Sequence, residues 1–469
     1  MKLTFIPPSK TARTVLLFFV SIVSFSLNAQ QDFNHFQTLL AKGEIPEDFT
    51  LSTASKIEED LVAKRDQIPS AELKKIVESI HYNVDYLLHS GYVIYGDEIS
   101  LYVQSVATNL LKKEPELLAQ LRFYTIKSTE VNAISTDQGI IFITTGLISQ
   151  LTSEAQLAYV LSHEIIHYTE KHLIEDANWD PSSRRSSKKL AELYSHSKAH
   201  EFEADELALQ RYKEAGYSFD EIYSTFDVLM YGYLPFDEVP FKKEYYSNDK
   251  MFIPESYFTK KEYPITAEED YDDEFSSHPN IKSRKAAIST VLSKMEETGE
   301  KQFILGKEKF NYVRDLARFE SVRCEVLEEN YAKALYNILL LESSYPNSIY
   351  LKHMKALSWL GFVQLSTLSY INETIPSSKM FEGESARMYD FFKQLSEEQF
   401  KTIALRIIYD LQKENPDDSM INAIMYDLSH YLLKRTDFSW KQYSSKSFSQ
   451  NAELELELQY HVPLEANKN

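Results

Sequence analysis

Residues 162–167 read Ser-His-Glu-Ile-Ile-His, and residues 201–205 read Glu-Phe-Glu-Ala-Asp. His163 and His167 are four residues apart, so on a helix both rings lie on one face and can reach one metal ion. Glu164 then lies beside that metal, where its carboxylate can take a proton from a bound water. The first stretch therefore predicts a helix that carries two metal ligands and a general base.

A catalytic zinc site needs a third protein ligand and keeps its fourth position open for water. Glu201 and Asp205 are also four residues apart. A second helix could therefore offer Glu201 to the metal, while Asp205 orients His163 or His167 as a hydrogen-bonded carboxylate. Two histidines and one glutamate suit zinc best among the divalent metals, so we predict one zinc ion per chain.

The other polar residues near these two stretches are weaker candidates for metal ligands. His172 comes five residues after the second motif histidine, which does not continue the four-residue spacing. His196 and His200 border the second predicted helix, and we interpret them as surface or supporting histidines. Glu203 is two residues from Glu201 and therefore faces away from it.

Four segments together resemble the HtpX-like and CAAX-prenyl-endopeptidase-like family of zinc metallopeptidases. They are VNAISTDQGIIFITTGLISQL at 131–151, VLSHEIIHYTEKH at 160–172, HEFEADELAL at 200–209 and SSHPNIKSRKAAI at 276–288. The resemblance covers about residues 80–290. It implies that zinc is bound by His163, His167 and Glu201, with Glu164 as the general base.

A short β-branched stretch precedes the first motif. It comprises Gly139, Ile140, Ile141, Phe142, Ile143 and Thr144. Its pattern fits a buried core strand, and it also fits an edge strand whose free N–H and C=O groups pair with an extended substrate. The resemblance implies the second alternative, because it places this strand beside the cleft.

His278 is followed by Pro279 in the last of the four segments. In the family the corresponding His-Pro segment lies close to the metal, which implies a role for His278 in the site. It could donate a hydrogen bond to the oxyanion of the tetrahedral intermediate, or bind zinc as a fourth ligand and keep the enzyme latent. From the residues alone, His278 could instead cap the following helix.

Residues 1–30 have the pattern of a secretory signal peptide. Lys2, Lys10 and Arg13 precede an apolar run, and small or polar residues follow up to a predicted cleavage near Ala29. The apolar run is short for a membrane span. We therefore predict export across the inner membrane to the periplasm, with no transmembrane span in the mature chain.

The composition limits the classes of partner. The formal net charge is −20, and the first 30 residues carry three basic residues and no acidic one, so without them it is −23. Such a charge disfavours nucleic acid and an anionic membrane surface as partners. Cys324 is the only cysteine, so no intrachain disulfide is possible.

The chain beyond about residue 300 has a helical pattern to near its end. Ala334 and Pro346 are twelve residues apart, as are Ala404 and Pro416, and this spacing fits the second helix of a tetratricopeptide repeat. A small solenoid of such repeats would offer a concave face to a protein or peptide partner. The alternative is a plain helical extension that supports the preceding domain.

Residues 231–276 are rich in aromatic side chains and end in a strongly acidic run. A loop of this length is often a lid or a binding loop, and an ordinary, poorly ordered insertion is the alternative.

Taken together, these patterns predict a mainly α fold of the α+β class. A signal peptide at 1–30 precedes a helical zincin-type metallopeptidase domain with a small β-sheet at 31–298, whose core is 80–290. A tetratricopeptide-like α-solenoid follows at 299–469. This organisation is most similar to the soluble periplasmic BepA-type members of the family.

The predicted function is hydrolysis of peptide bonds in misfolded or unassembled envelope proteins by a zinc-dependent endopeptidase. Its substrates would be proteins or peptides, and the repeat-like domain could bind a protein partner. The alternative is a non-proteolytic chaperone or assembly factor whose metal site is latent or structural. An intact Glu164 favours the enzyme, because a structural metal site does not need a base.

Overall fold

The computed structural model describes residues 32–63, 71–173, 197–249, 251–266, 278, 281–295, 299–367, 375, 377–378 and 381–433. The predicted signal peptide, the acidic run at 268–274 and the chain after residue 433 lie outside the described residues.

The β-sheet contains four short strands. They are β1 (Val93–Ile94), β2 (Arg122–Ile126), β3 (Ala133–Ser135) and β4 (Ile140–Thr144), in the spatial order β1-β2-β4-β3. β2 and β4 are parallel, with Arg122 opposite Ile140 and Ile126 opposite Thr144. The outer pairs β1–β2 and β3–β4 are antiparallel.

The position of β4 corrects the predicted substrate edge at residues 139–144. β4 is hydrogen-bonded to β2 on one side and to β3 on the other, and all five of its residues are buried. It is therefore an interior strand, and its β-branched sequence reflects burial on both faces. The edge on this side of the sheet belongs to β3, which packs against the helix that carries the histidine motif.

Helices make up most of the N-terminal half. They are α1 (Thr53–Ala63), α2 (Ala71–His89), α3 (Glu98–Leu110), α4 (Pro115–Leu118), α5 (Thr145–Gln150), α6 (Glu154–Thr169), α7 (Lys198–Ala215), α8 (Asp220–Tyr231) and α9 (Ile281–Leu292). α6 begins at a capping box, in which Ser153 and Gln156 bond each other's backbone N–H groups. It is buried from Glu154 to His167 and packs against α3, α7, α8 and β3.

The described part of the C-terminal half is also helical. It contains α10 (Lys307–Leu327), α11 (Tyr331–Glu342), α12 (Ile349–Thr367), α13 (Gly383–Lys393), α14 (Glu397–Glu414) and α15 (Ser419–Leu433). α11 and α14 end just before Pro346 and Pro416, because proline cannot continue a helix. The predicted mainly helical α+β class is thereby confirmed, while the assignment of these helices to tetratricopeptide repeats stays a prediction.

The N-terminal segment is buried among C-terminal helices. The ring of Phe33 lies 4.8 Å from that of Tyr345, and the ring of Phe36 lies 4.8 Å from that of Phe319. The Ser348 hydroxyl donates to the backbone carbonyl of Phe33 at 2.7 Å. The two ends of the described chain are therefore packed into one hydrophobic core.

The aromatic segment that follows α8 packs against the C-terminal helices. Tyr246 stacks on Phe391 at 5.2 Å and meets Trp359 edge-on at 5.3 Å, and Phe258 stacks on Phe391 at 5.1 Å. The carbonyl of Tyr263 accepts the first backbone N–H of α13 at 2.7 Å. The described residues of this segment, up to residue 266, are therefore part of the packed structure.

No helix within the described ranges combines the length and the apolarity that crossing a membrane requires.

Glu154, the first residue of α6, joins the histidine helix to the start of the C-terminal region. Its buried carboxylate accepts hydrogen bonds from Tyr102 at 2.6 Å and Tyr217 at 2.7 Å. It also accepts from the backbone N–H groups of Ile304 and Leu305 at 3.0 and 3.1 Å. Burial and the adjacent carboxylate raise the pKa of both tyrosines, so they remain donors. The predicted domain boundary at 298 stays a prediction, but the packing continues across it.

We expect Glu154→Ala to lower the free energy of unfolding by more than about 3 kcal/mol, because several buried donors lose their acceptor at about 1–3 kcal/mol each. Glu154→Gln keeps one acceptor oxygen, so its free energy of unfolding should fall by less than that of Glu154→Ala. Urea denaturation followed by circular dichroism measures both. Glu116→Ala, at an exposed position of α4, is the matched control. A midpoint for Glu154→Ala equal to that of the wild type would contradict the proposed linking role.

Candidate metal centre

The two motif histidines face one point on the buried side of α6. The Nε2 atoms of His163 and His167 are 2.9 Å apart, and both side chains are almost fully buried. Two ring nitrogens that face each other at this distance share either a hydrogen or a cation. The spacing of four residues thus produces the predicted pair of imidazoles on one helix face.

Glu201 is brought to the same point by α7. Its fully buried carboxylate lies 3.5 Å from His163 Nε2 through Oε2 and 3.4 Å from His167 Nε2 through Oε1. Asp205, one turn further along α7, lies 3.0 Å from His163 Nδ1 through Oδ1. The structure therefore brings together all three predicted ligands, and it places Asp205 against His163 rather than His167.

Glu164 and His278 complete this group of side chains. His278 Nδ1 lies 3.0 Å from Glu201 Oε1, and His278 Nε2 lies 3.5 Å from Glu164 Oε1. His278 Nε2 is also 3.3 Å from the carbonyl oxygen of Ala133 in β3. The structure thus places the predicted base beside the predicted ligands, with His278 between them and the edge of the sheet.

Arg284 of α9 is a site residue that the sequence analysis did not identify. Its guanidinium donates to both oxygens of Asp205, from Nε at 2.7 Å and from Nη2 at 2.8 Å. Its Nη1 contacts Glu201 Oε2, and the group lies 5.5 Å from the centre of the Phe226 ring. The only indication of Arg284 in the sequence is its position six residues after His278, within the family-like segment at 276–288.

The charges in this buried group stabilise one another. Burial by itself would raise the pKa of Glu201, but the charges of Arg284 and His278 outweigh it and hold this pKa well below its usual range. Burial would likewise raise the pKa of Asp205, but the charge and hydrogen bonds of Arg284 outweigh it and lower this pKa. Burial lowers the pKa of His163, but hydrogen bonds to Asp205 and Glu201 raise it to about 9. Both carboxylates are therefore ionised near neutral pH.

The donor atoms fit a divalent metal ion. One ligand atom each from His163, His167, Glu201 and His278 lies within 4.8 Å of the other three, and all four residues are buried. Two imidazoles and one carboxylate are the ligand set of many catalytic zinc sites. The ionised carboxylate supplies charge that compensates a buried cation.

A small apolar cavity opens next to Glu164 and His278. Its volume is about 30 Å³, which is room for about one water molecule. Its apolar lining includes Leu147, Val160 and Leu229.

Comparison with known proteins finds a matching family model and several relatives. Residues 99–180 match the model of peptidase family M48, a range that includes His163, Glu164 and His167. The putative beta-barrel assembly-enhancing protease of Vibrio cholerae is 28% identical over 101 residues, which are 22% of this chain and 20% of that protein. The beta-barrel assembly-enhancing protease of Escherichia coli K12 is 29% identical over 92 residues, or 20% and 19%. Each match spans about a fifth of the relative's length. The predicted family resemblance is confirmed.

We expect Arg284→Met to lower the free energy of unfolding by about 3–5 kcal/mol, because it leaves two buried carboxylates without their counter-charge. Arg284→Lys keeps a positive charge but lacks the planar guanidinium that donates two parallel hydrogen bonds. Its free energy of unfolding should therefore fall by less than that of Arg284→Met. Urea denaturation in the presence of a chelator measures both without a contribution from bound metal.

The neighbouring cation provides the control for Arg284. Lys285 is partly exposed and pairs with Asp227 of α8, so Lys285→Met should change stability by less than about 1 kcal/mol. Similar losses for Arg284→Met and Lys285→Met would show that the charges around Glu201 do not depend on Arg284.

Proposed function

We propose that this chain, which carries a peptidase family M48 domain, is a zinc-dependent endopeptidase that hydrolyses peptide bonds in proteins. The observation that carries the proposal is the convergence of His163, His167 and Glu201 from two helices, with the Glu164 carboxylate beside them. A structural metal site would not need that carboxylate. The zinc ligands are therefore His163, His167 and Glu201, and the general base is Glu164.

When bound, zinc supplies Lewis-acid polarisation of a peptide carbonyl and a water of lowered pKa. In that site the Glu164 carboxylate would hold the proton of the attacking water and pass it to the leaving amine. Asp205 holds the His163 ring through Nδ1, so the opposite nitrogen faces His167 and Glu201, with which it would hold the ion. Arg284 fixes both carboxylates of α7. These residues thus set the geometry before a substrate arrives.

The edge of β3 is the place where an extended substrate would pair. Asn132 and Thr136 make their backbone bonds to β4, so the alternation of an antiparallel ladder turns the N–H and C=O groups of Ala133 and Ser135 away from it. A peptide added to this edge would present its carbonyls next to Glu164. The substrate strand is therefore β3, in place of the residues 139–144 predicted from the sequence.

His278 keeps the site latent in this conformation. Its ring lies among the ligand atoms, and its Nε2 is within 3.3 Å of the Ala133 carbonyl that a substrate backbone would need. A substrate that pairs with β3 must displace this contact. His278 would therefore hold the ion as a fourth ligand and would have to withdraw when a substrate binds, which favours latency over the oxyanion role.

The compartment and the substrates are inferred from the N-terminal sequence pattern and from the names of the relatives. The pattern of residues 1–30 supports export to the periplasm, and the names of the relatives associate those proteins with assembly of β-barrels. We therefore propose misfolded or unassembled envelope proteins as the substrates. The repeat-like helices α10–α15 would bind these proteins or a protein partner.

We expect Glu164→Gln to lower the hydrolysis of casein or of an unfolded outer-membrane protein by about 10²–10⁴-fold, since the base is lost while the ligands remain. Its zinc content should equal that of the wild type, whereas His163→Ala should lose zinc. Glu170→Gln, at the exposed end of α6, is the matched control. If wild type and Glu164→Gln cleave equally, the chain is a binding protein or chaperone and not a peptidase.

We expect His278→Ala to raise the rate of casein hydrolysis several-fold with zinc retained, because the three remaining ligands leave an open position. His353→Ala, which removes the histidine that pairs with Asp418 in the helical region, should leave the rate unchanged. Loss of hydrolysis by His278→Ala at full zinc content would overturn the latency proposal and favour the oxyanion role.

A further inference from the structure

A second group of ligand-type side chains lies on the far side of His167. His172 follows the end of α6, and its ring is fully buried. Its Nδ1 lies 2.9 Å from Nδ1 of His167, the nitrogen opposite to the one that faces Glu201. Its Nε2 lies 3.5 Å from an Oε2 of Glu203. His172 therefore connects the metal centre to a different surface of α7.

The first two turns of α7 supply the other members of this group. His200 and Glu203 are three residues apart and lie on one helix face. The ring of His200 stacks on that of His172, with the centres 4.2 Å apart and the planes at 5°. Because an imidazole binds a metal in its own ring plane, the half-buried His200 ring must turn out of this stack before both histidines can bind one ion. One ligand atom from each of His172, His200 and Glu203 lies within 4.8 Å of the other two.

The two groups are separate because α7 presents them on different sides. Glu201 and Glu203 are two residues apart, which turns their side chains away from each other on a helix. Glu201 is fully buried, whereas the Glu203 side chain is 51% exposed. A cation could therefore reach the second group from solvent without passing through the first.

We propose that His172, His200 and Glu203 form a second site for a divalent transition-metal ion. Two imidazoles and a carboxylate favour zinc and its neighbours over magnesium or calcium, which prefer oxygen ligands. Because Glu203 is half exposed, the second ion exchanges readily and binds more weakly than the ion at the buried centre. This site does not depend on peptidase activity, and its ligands differ from those of the first.

The test is equilibrium dialysis of the full-length protein against a series of buffered free-zinc concentrations, with the bound metal counted by mass spectrometry. The wild type should bind zinc in a tight step followed by a weaker step. A variant carrying His200→Ala and Glu203→Gln should keep the tight step and lose the weaker one. His163→Ala should lose the tight step and keep the weaker one.

Two further variants keep the result interpretable. His35→Ala removes an exposed histidine that pairs with Asp32, so it reports adventitious surface binding and should leave both steps unchanged. Glu203→Gln alone, at a half-exposed position, should shift the weaker step to higher free zinc even if the double variant fails to fold.

A single binding step in the wild type, or a weaker step that persists unchanged in Glu203→Gln and in the double variant, overturns the second site. The proposed peptidase centre fails separately, if His163→Ala retains the tight step.

Discussion

The candidate metal centre depends on the burial of two carboxylates, those of Glu201 and Asp205, around the guanidinium of Arg284. Moving an unpaired carboxylate out of water costs several kcal/mol, so α7 could not otherwise pack its acidic face against α6. The bidentate bond to Asp205 and the contact with Glu201 remove most of that cost. The same cation keeps both carboxylates ionised, and so Glu201 remains able to bind a metal.

Residue spacing alone could predict the part of the site that is local along the chain, whereas the place of His278 was implied by the family resemblance. His163 with His167, and Glu201 with Asp205, are one helical turn apart, so helix geometry alone fixes their common face. Arg284 was missed because its partner is 79 residues away, and no local spacing encodes that contact. A helix pattern therefore indicates which side chains share a face, but not which distant cation neutralises their charge.

The fold shows the same division. The mainly helical class was correct, and α11 and α14 end before the two prolines in the predicted repeat spacing. The edge position expected for residues 139–144 was wrong, because pairing on both sides of β4 depends on partners elsewhere in the chain. The aromatic segment before residue 266 has no periodicity, since its rings pack individually against Trp359 and Phe391 without regular backbone structure.

The burial of Phe33 and Phe36 against C-terminal helices determines the order in which this protein can mature. The hydrogen bond between Phe33 and Ser348 spans 315 residues, so a growing chain exposes both phenylalanines until most of its length has been synthesised. Contacts of such long range slow folding and prolong the exposure of apolar surface. The packing of this N-terminal segment can therefore be completed only after the helices around Ser348 have been synthesised.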